Sequence, residues 1–491
     1  MSDHLPVLQV VIPLVAAPVC LLLRNSAAVR IFSTAAVWAA FAVAIQLLAQ
    51  VLDAGVISYP LGGWLAPLGI EYRVDTTNAF VLLIVSGIAS AVVAVGPGPS
   101  GHAIGEDREY LYYIAYLLCT AGLLGVAITG DVFNIFVFLE ISSLASYVLV
   151  ALGKSRRALR AAFSYLVMGT IGGTFILIGI GFLYLMTGTL NLADLATRLP
   201  AVLDNRAVHV GFAFLGIGVS IKLAVFPLHQ WLPSAYSYAP SAASAFLSAT
   251  GTKVAYYLLL RFVFTLFGTA FVFERLGFAS ILLPLSLLGM FIGAIAAINQ
   301  TDLKRLLAYS SVSQVGYMTL GLSTASLAGL TGGIVHLFNH ALMKGGLFLI
   351  VACMVARVGS SKIEDLRGLG RRMPLTAFGF VLGGLGLIGV PLTAGFVSKW
   401  YLALGALEVG GPLLVFALLV SSLLAVAYVW KVVEVMYFQE PPPGAESGEA
   451  PPGLMLSAWV LIGGSLVFGV YTDVSVGIAR QAAAQLLGLA L

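Results

Sequence analysis

The stretch "IKLAVFPLHQWLPSAYSYAP" (residues 221–240) places Lys222 in a strongly apolar part of the chain, together with Pro227, Pro233 and Pro240. Proline lacks an amide donor and clashes with the preceding turn, so it interrupts a helix. Inside a membrane, broken helices are tolerated only where protein or water satisfies the freed backbone groups. The stretch therefore predicts a broken helix beside a polar interior, provided that the chain spans a membrane.

The composition of the chain meets that condition. Of its 491 residues, 60% are apolar and only 9% are charged, which is far from the balance of a soluble domain. The apolar runs are about 18 to 30 residues long, and a helix needs about 20 residues to cross a hydrocarbon core of about 30 Å. A membrane β-barrel would instead show alternating strands of about 10 residues. These features predict an all-α integral membrane protein.

Apolar runs separated by polar, glycine or proline breaks predict about fourteen transmembrane helices. They lie near residues 5–23, 29–52, 77–96, 109–129, 131–151, 159–187, 208–239, 241–268, 277–298, 303–323, 327–357, 374–404, 410–438 and 455–477. Most lysines and arginines outside these spans fall in connections from odd- to even-numbered spans, including "GKSRRALR" (153–160). Because such residues favour the cytoplasmic side, we expect both termini on the non-cytoplasmic side of the cell membrane.

Seven titratable residues lie near the predicted midplane, where an ionisable side chain costs about 2.5 to 3.5 kcal/mol on insertion scales. They are Glu140, Lys222, Lys253, His336, His340, Lys344 and Lys399. A single lysine of this kind could belong to a structural ion pair. Seven such groups, with one carboxylate to neutralise the cations, favour a function in proton transfer.

Within the eleventh span, His336, His340 and Lys344 are spaced i, i+4 and i+8, so they share one helix face. Such a stripe is typical of a proton relay, and the alternative is a face that packs through polar contacts. A zinc site is not expected, because two histidines supply only two ligands and no nearby Cys, Asp or Glu completes the set.

The serines at 142, 143 and 146, beside Glu140 in the fifth span, also allow two interpretations. They bond backbone carbonyls, or they orient the Glu140 carboxylate and hold water.

A second broken helix is predicted in "IGVPLTAGFVSKWY" (388–401), where Pro391 interrupts the twelfth span as Pro227 interrupts the seventh. Each broken span carries a lysine, and paired broken helices in the two halves of a transporter indicate an ion path. The two breaks lie five spans apart, and a block with an odd number of helices reverses direction through the membrane. Helices 4–8 and 9–13 therefore predict two inverted five-helix repeats.

The predicted repeats divide the chain into four parts. Residues 1–107 form an N-terminal three-helix segment, residues 108–270 and 271–438 form the two repeats, each a proton half-channel, and residues 439–491 form a flexible loop followed by a C-terminal helix. The loop, 439–453, is rich in Pro, Gly and Glu, as solvent-exposed linkers are. No connection is long enough to hold a soluble catalytic domain.

Five motifs in order resemble a known family. They are "FNIFVFLEISSLASYVLV" (133–150), "KLAVFPLHQWLPSAYSYAPSAASAFLSATGTKVAYYLLLR" (222–261), "TDLKRLLAYSSVSQVGY" (301–317), "HLFNHALMKGGLFL" (336–349) and "GVPLTAGFVSKWY" (389–401). From about residue 70 to 437, the chain resembles the antiporter-like membrane subunits of respiratory complex I, membrane-bound hydrogenases and Mrp-type multisubunit cation/proton antiporters. The resemblance implies fourteen helices, two inverted repeats and a central polar axis used by protons.

The resemblance also implies a role in proton transfer for the seven midplane residues. In the order of the helices that carry them, these are Glu140 (fifth), Lys222 (broken seventh), Lys253 (eighth), His336, His340 and Lys344 (eleventh), and Lys399 (broken twelfth). In the family, the first two form a pair that loads and releases protons, and the eighth-helix lysine connects that pair to the relay. One branch of the complex I subunits has glutamate at the last position. A lysine there, in a chain of this length without a long C-terminal lateral helix, resembles most the D-type chain of Mrp antiporters or its relatives in membrane-bound hydrogenases.

Two functions follow, both of a transporter subunit and not of an enzyme that acts alone. The first is the proton-translocating subunit of a multisubunit Na⁺/proton antiporter. The second is a proton-pumping subunit of a complex I-type NADH:quinone oxidoreductase or a membrane-bound hydrogenase. A third possibility, an inert scaffold, would tolerate leucine at the midplane positions. We expect no cofactor and no metal in this chain. As partners we expect other membrane subunits, protons, Na⁺ and the lipid bilayer, and no nucleic acid.

Overall fold

The structure, a computed structural model, describes residues 4–23, 25–97 and 109–490. It begins with the helices α1 (Leu5–Leu23), α2 (Ser26–Ala54) and α3 (Thr76–Val93). The connection between α2 and α3 holds a small antiparallel hairpin of β1 (Ile57–Pro60) and β2 (Glu71–Val74), which departs from the purely helical prediction. The predicted division between residues 107 and 108 lies outside the described residues.

The region of the first predicted repeat contains seven described helices. They are α4 (Glu109–Ile128), α5 (Val132–Ala151), α6 (Arg156–Thr187), α7 (Leu192–Arg198), α8 (Arg206–Leu223), α9 (Trp231–Tyr238) and α10 (Ser241–Leu260). Asp131 and Asn205 directly precede α5 and α8. Each side chain accepts a hydrogen bond from a backbone amide in the first turn of its helix. Such caps explain where the two helices begin. After α10 the chain continues in two short π-helical segments, Arg261–Phe267 and Ala270–Arg275.

The remainder of the chain contains eight described helices. They are α11 (Phe278–Ile298), α12 (Leu303–Ser323), α13 (Leu327–Val358), α14 (Leu369–Arg372), α15 (Pro374–Ile388), α16 (Ala394–Phe438), α17 (Pro452–Val470) and α18 (Asp473–Leu487). Asp302 caps α12 and Ser326 caps α13 through their side-chain oxygens. These caps separate neighbouring spans that the hydropathy pattern alone leaves close together.

Among the described residues, eleven helices are long and apolar enough to cross a membrane. Together with the nearly continuous helical structure, this confirms the predicted class of all-α integral membrane protein. Two further helices, α10 and α12, are 20 and 21 residues long but more polar, and almost all of their residues are buried. Other helices thus shield them from lipid, which is where polar side chains can be kept in a membrane. The count of fourteen spans and the inverted repeats stay predictions.

The seventh predicted span is broken where its sequence indicates. The helix α8 ends at Leu223, Ala224 adopts a left-handed conformation with φ of 62°, and helical structure resumes at Trp231 in α9. Pro227 lies in the break. The indole nitrogen of Trp231 donates to the carbonyl oxygen of Ile221 at 2.9 Å. The break therefore satisfies part of its exposed backbone from within the protein, as a membrane interior requires.

The twelfth predicted span is broken in the same way. The helix α15 ends at Ile388, and helical structure resumes at Ala394 in α16. Between them Gly389 and Leu392 have φ of 84° and 73°, with Pro391 between these two residues. Left-handed conformations and a proline are incompatible with a continuous helix, so both predicted breaks are present.

The helix α16 folds back on itself at Gly411. It comprises 45 residues, but the backbone of Gly411 leaves the helical conformation (φ 62°, ψ −157°) immediately before Pro412. The side chains of Lys399 and Ser422 are 2.9 Å apart, whereas a straight helix would separate these positions by about 35 Å. The two halves of α16 therefore lie side by side and correspond to the second part of the twelfth predicted span and to the thirteenth.

The C-terminal region differs in detail from the prediction. The helix α17 ends at Val470, before the predicted limit of 477, and a second helix, α18, follows and packs against α3 and α13. The loop 439–453 is anchored at Glu449, whose carboxylate accepts hydrogen bonds from the backbone amide of Leu375 and the hydroxyl of Thr376. This loop is thus attached to the start of α15. The division of the chain into four parts stays a prediction.

Candidate functional site

Glu140 and Lys222 form an ion pair between α5 and α8. The ammonium nitrogen of Lys222 lies 3.2 Å from Oε1 of Glu140 and donates to the hydroxyl of Ser143 at 2.7 Å. Glu140 and Ser143 are three residues apart on α5 and share a face, while Lys222 is in the last turn of α8, next to the break. The break thus places the end of α8, with its lysine, against the carboxylate.

The three serines beside Glu140 divide between the two roles considered for them. Ser142 donates to the carbonyl of Leu139, and Ser146 donates to the carbonyl of Ser142, both within α5. Only Ser143 contacts the Lys222 ammonium. Ser143 therefore bonds the lysine of the pair. Ser142 and Ser146 donate to backbone carbonyls, as serines in membrane helices commonly do, and all three serines also line the cavity beside the pair.

A small cavity of about 40 Å³ lies next to the pair. It is lined by Lys222, the serines at 142, 143 and 146, Tyr165 and the α10 residues Gly251, Val254, Ala255 and Leu258, among others. A volume of this size admits a water molecule, and the lysine and the serines supply polar partners for it. The cavity connects the charged pair to the face of α10, the helix that carries Lys253.

Lys253 is fully buried on α10 and has no carboxylate partner within the described residues. Its ammonium donates to the carbonyl of Ser248 at 2.5 Å and to the hydroxyl of Thr252 at 3.3 Å. It lies close enough to His336, His340 and Lys344 to act on all three electrostatically. The helix α10 packs against α13, although neither hydrogen bond of Lys253 joins it directly to another of the predicted residues.

The eleventh-span stripe lies on α13 with its three side chains fully buried. The rings of His336 and His340 are parallel within 7°, with centroids 5.8 Å apart. Nδ1 of His336 is 2.8 Å from the hydroxyl of Ser398. Lys344 donates to Ser310 at 2.5 Å and to the carbonyl of Leu307 at 2.7 Å, both on α12. One end of the stripe thus meets α12 and the other meets the start of α16.

Several polar atoms of the stripe and of Asn339, which precedes His340 on α13, lack hydrogen-bond partners within the described part of the chain. They are Nε2 of His336, both ring nitrogens of His340 and Oδ1 of Asn339. Buried polar atoms in proteins are bonded to protein or to ordered water in the large majority of cases. Water is small enough to bond these atoms inside a packed bundle. The unpartnered atoms are compatible with bound water, whereas the direct contacts of Lys344 and of Nδ1 of His336 agree with a face that packs through polar contacts, so the proton relay stays a prediction.

The seven predicted residues are called the row from here on. Lys399 lies at the end opposite to Glu140 and Lys222, against the second helix break. Its ammonium donates to the last carbonyls of α15, those of Leu387 at 3.0 Å and Ile388 at 2.8 Å, and to Ser422 at 2.9 Å. It also lies 4.6 Å from the centre of the Tyr317 ring. The carbonyl end of a helix carries partial negative charge, so this break provides a binding place for a cation without using a carboxylate.

Several residues of the site are absent from the sequence-based set. Ser310, Tyr317, Ser398 and Ser422 contact the predicted lysines and histidines, and Lys304 is buried with its ammonium 2.6 Å from the carbonyl of Ala239. Hydroxyl residues are common in membrane helices, so only their spatial position distinguishes these. Ser398 precedes Lys399 directly, and the "TDLKRLLAYSSVSQVGY" motif contains Lys304, Ser310 and Tyr317. Their position in or beside these motifs is the sequence feature that could have identified them.

Within the described residues, no group of three or more His, Cys, Asp or Glu side chains could hold a metal ion. The three cysteines, Cys20, Cys119 and Cys353, are buried and unpaired with one another. The candidate site as described above comprises titratable side chains and hydroxyl groups.

Comparison with known proteins gives the same assignment for the fold. Residues 129–425 match the family described as NADH:quinone oxidoreductase/Mrp antiporter, TM, a range that includes all seven predicted site residues. The chain is 44% identical over 464 residues to the N-type chain of the NADH-quinone oxidoreductase of Desulforudis audaxviator, covering 92% of this chain and 91% of the relative. It is 31% identical to the D-type chain of the Na(+)/H(+) antiporter of Bacillus subtilis, covering 99% of this chain and 97% of the relative.

Among solved structures, a chain of the Mrp complex from a Dietzia species superposes with a TM-score of 0.89 at 26% identity, covering 99% of this chain and 97% of the other. The similarity thus extends over nearly the whole length of each protein. The protein belongs to the NADH:quinone oxidoreductase/Mrp antiporter transmembrane family.

Proposed function

We propose that this chain is the proton-translocating membrane subunit of a multisubunit Na⁺/proton antiporter. The observation that carries the proposal is the arrangement of the row: a Glu140–Lys222 pair at one helix break, Lys399 at the other, and buried lysines and histidines between them. A scaffold would have no use for so many buried cations with one carboxylate, since each is costly in a membrane. The full-length similarity to a chain of the Na(+)/H(+) antiporter of Bacillus subtilis supports the same function.

Proton transfer in this arrangement follows from coupled charges. A proton bound to Lys222 strengthens its attraction to Glu140, which lies 3.2 Å away. When the pair separates, the positive charge of Lys222 is no longer compensated. Its proton then moves through the small cavity, which is large enough for water, to the face of α10 that lines it, and on to Lys253. Like-charge repulsion then drives a proton from Lys253 to the histidines of α13 and on to Lys399.

At the far end, the helix break holds the proton until release. The carbonyls of Leu387 and Ile388 stabilise the ammonium form of Lys399 by charge-assisted hydrogen bonds. A second positive charge arriving at His336, which lies within electrostatic range of Lys399, weakens that binding. Lys399 therefore gives up its proton when the row behind it is loaded.

The test uses membrane vesicles that contain the assembled complex with this chain. Glu140→Gln and Lys399→Ala should each abolish cation-dependent proton exchange, measured with a fluorescent pH indicator after a Na⁺ pulse. The matched control is Lys362→Ala, because the Lys362 side chain is 65% exposed and pairs only with the equally exposed Glu364. Exchange at the wild-type rate in either site variant, at equal amounts of assembled complex, contradicts the proposal.

A second function has a specific observation in its favour. The identity to the NADH-quinone oxidoreductase chain, at 44%, is higher than the identity to the Na(+)/H(+) antiporter chain, at 31%. In that case the same row of residues would move protons under the control of redox chemistry in other subunits. Measurements of proton uptake by the purified native complex, reconstituted in vesicles, decide between the two. Uptake driven by Na⁺ alone indicates the antiporter, and uptake that requires an electron donor and acceptor indicates the redox pump.

Partner subunits are indicated by the outer face of α5. Val137, Glu140 and Leu144 share this face, and the Glu140 side chain is 24% exposed between two exposed apolar residues. A carboxylate in contact with hydrocarbon is costly, so we infer that a neighbouring membrane protein of the same complex covers this face. Cross-linking from a cysteine at Leu144 in the native complex should capture that neighbour.

We also propose that both termini lie on the non-cytoplasmic side of the cell membrane, with the loop at Lys154 on the cytoplasmic side, because basic residues concentrate in the connections on that side. A membrane-impermeant thiol reagent applied to intact cells should label a cysteine at Leu489 and leave a cysteine at Lys154 unlabelled. The reverse pattern contradicts this orientation.

A further inference from the structure

A second set of polar side chains, buried except for the partly buried Ser422, lies between Lys344 and Lys399. On α12, Ser310, Gln314 and Tyr317 are spaced i, i+4 and i+7, so they share one face. The C-terminal half of α16 packs against α12 and places three polar residues opposite that face. We call the set the α12–α16 seam; its members are Ser310, Gln314, Tyr317, Ser421, Ser422 and Tyr428.

The two ends of the seam are bonded to lysines of the proposed row. At one end, Lys344 donates to the hydroxyl of Ser310 at 2.5 Å. At the other end, Lys399 donates to the hydroxyl of Ser422 at 2.9 Å, and Ser422 lies 3.3 Å from the hydroxyl of Tyr317. The seam therefore lies between Lys344 and Lys399, as the two histidines of the eleventh-span stripe do, and it includes neither histidine.

The middle of the seam holds polar atoms without direct partners. The hydroxyls of Tyr428 and Ser421 and Oε1 of Gln314 make no hydrogen bond within the described ranges, although each residue is at most 1% exposed. The Tyr428 hydroxyl lies within reach of Ser310 and Gln314, and the Tyr317 hydroxyl lies within reach of Ser421 and Ser422. A water molecule bonded to the Tyr428 hydroxyl would therefore have Ser310 and Gln314 as further polar partners.

Helix packing alone does not account for this arrangement. Polar side chains that join two membrane helices do so by bonding across the interface, and those bonds would satisfy the central atoms. Here Tyr317 bonds across the interface to Ser422 and to the carbonyl of Leu418, and Ser310 and Ser422 are bonded to lysines. The hydroxyls of Ser421 and Tyr428 and Oε1 of Gln314 are nevertheless unpartnered within the described ranges. A hydrated connection between the lysines explains both features.

We propose that the α12–α16 seam binds water and carries protons from Lys344 to Lys399 in parallel with His340 and His336. Each hydroxyl or water accepts one proton and gives up another. After one passage Lys344 has lost a proton, Lys399 has gained one, and no member of the seam has changed charge. This inference rests on the proposed function, since it requires that the row conduct protons.

The test compares the two routes singly and together, in vesicles that contain the assembled complex. Ser421→Ala with Tyr428→Phe removes two hydroxyls of the seam, and His336→Ala with His340→Ala removes the histidine route. Because parallel rates add, each pair should leave about a tenth or more of the exchange rate, while all four changes together should lower it by about a hundredfold or more. Ser86→Ala with Tyr116→Phe is the matched control, because these hydroxyls donate to backbone carbonyls of α3 and not to any residue of the row or the seam.

The outcome separates this inference from the proposed function. If Glu140→Gln abolishes exchange but the four changes together behave as the histidine pair does alone, the seam carries no protons and the proposed function stands. If the wild-type complex shows no exchange, the proposed function fails first. A cryo-EM map that resolves ordered water gives an independent check, even if the variant with all four changes does not assemble. We expect a water molecule bonded to the Tyr428 hydroxyl. A seam without ordered water overturns the inference.

Discussion

The ammonium group of Lys399 lies 2.8 Å from the carbonyl oxygen of Ile388, the last residue of α15. The corresponding lysine at the other break, Lys222, is instead paired with the carboxylate of Glu140. The two breaks thus stabilise a lysine by different means, one with a full negative charge and one with the partial charge of a helix end. A carboxylate can itself be protonated, whereas a carbonyl cannot, so the two ends of the row are chemically unequal.

This inequality predicts the effect of a charge reversal at Lys399. In Lys399→Glu, a carboxylate would face the carbonyls of Leu387 and Ile388, and the repulsion should destabilise the protein by about 0.3 to 2 kcal/mol. Lys399→Met, which keeps the length of the side chain, should lose exchange with a smaller loss of stability. Thermal unfolding of the detergent-solubilised complex measures the difference, and equal stability of the two variants contradicts it.

A single added methyl group should disturb the Glu140–Lys222 pair. A Cβ atom at Gly173 on α6 would lie 2.3 Å from Oε1 of Glu140, whereas a Cβ atom at Gly181 on the same helix would meet nothing within 4 Å. Gly173→Ala should therefore displace the carboxylate and lower exchange by about tenfold or more. Gly181→Ala should leave the rate unchanged. Equal rates in the two variants would show that the position of the carboxylate is not critical.

Two neighbouring serines should differ in their effect on exchange. Ser143 accepts a hydrogen bond from the Lys222 ammonium, and Ser142 donates only to its own helix backbone. Ser143→Ala removes a stabilising contact of the protonated lysine, so proton binding weakens and the pH of half-maximal exchange should fall by about one unit. Ser142→Ala should keep the wild-type pH profile. A pH titration of the exchange rate in vesicles distinguishes them.

A buried ion pair outside the row should affect stability more than transport. Arg261, just after α10, contacts Asp75, the cap of α3, at 2.5 Å, and both side chains are 7% exposed. Asp75→Asn leaves the guanidinium buried and uncompensated, which should destabilise the protein by about 3 to 5 kcal/mol. In the more exposed pair of Asp194 and Arg198, Asp194→Asn should have little effect. Thermal unfolding measures both changes, and exchange per folded complex should persist in each.

The main features of the fold were predictable because the membrane imposes strong constraints. The apolar runs indicated the spans, and Pro227 and Pro391 marked both breaks, since proline acts on the backbone through local geometry. The hairpin of β1 and β2 and the separate helix α18 were not predicted. Their sequences are short and less apolar, and their structure depends on packing against the bundle, which hydropathy does not report.

The candidate site was predictable only in its charged members. A buried lysine is conspicuous in an apolar span, so Lys253 could be identified without a structure. Ser422 and Tyr317 could not, because hydroxyl side chains occur throughout the bundle. The contact of Ser422 with Lys399 depends on the fold-back at Gly411, and that of Tyr317 depends on the packing of α12 against α16. The sequence therefore indicates the proton-binding groups, and the structure shows the neutral groups around them.

The polar composition of α12 has a consequence for biogenesis. This helix is long enough to span but is not among those apolar enough to do so by composition, so it gains little by partitioning alone from the translocon into lipid. It packs extensively against α11, which is strongly apolar, and against α13. We expect α12 to leave the translocon together with α11, as a helical hairpin whose polar side is covered only when α13 and α16 arrive.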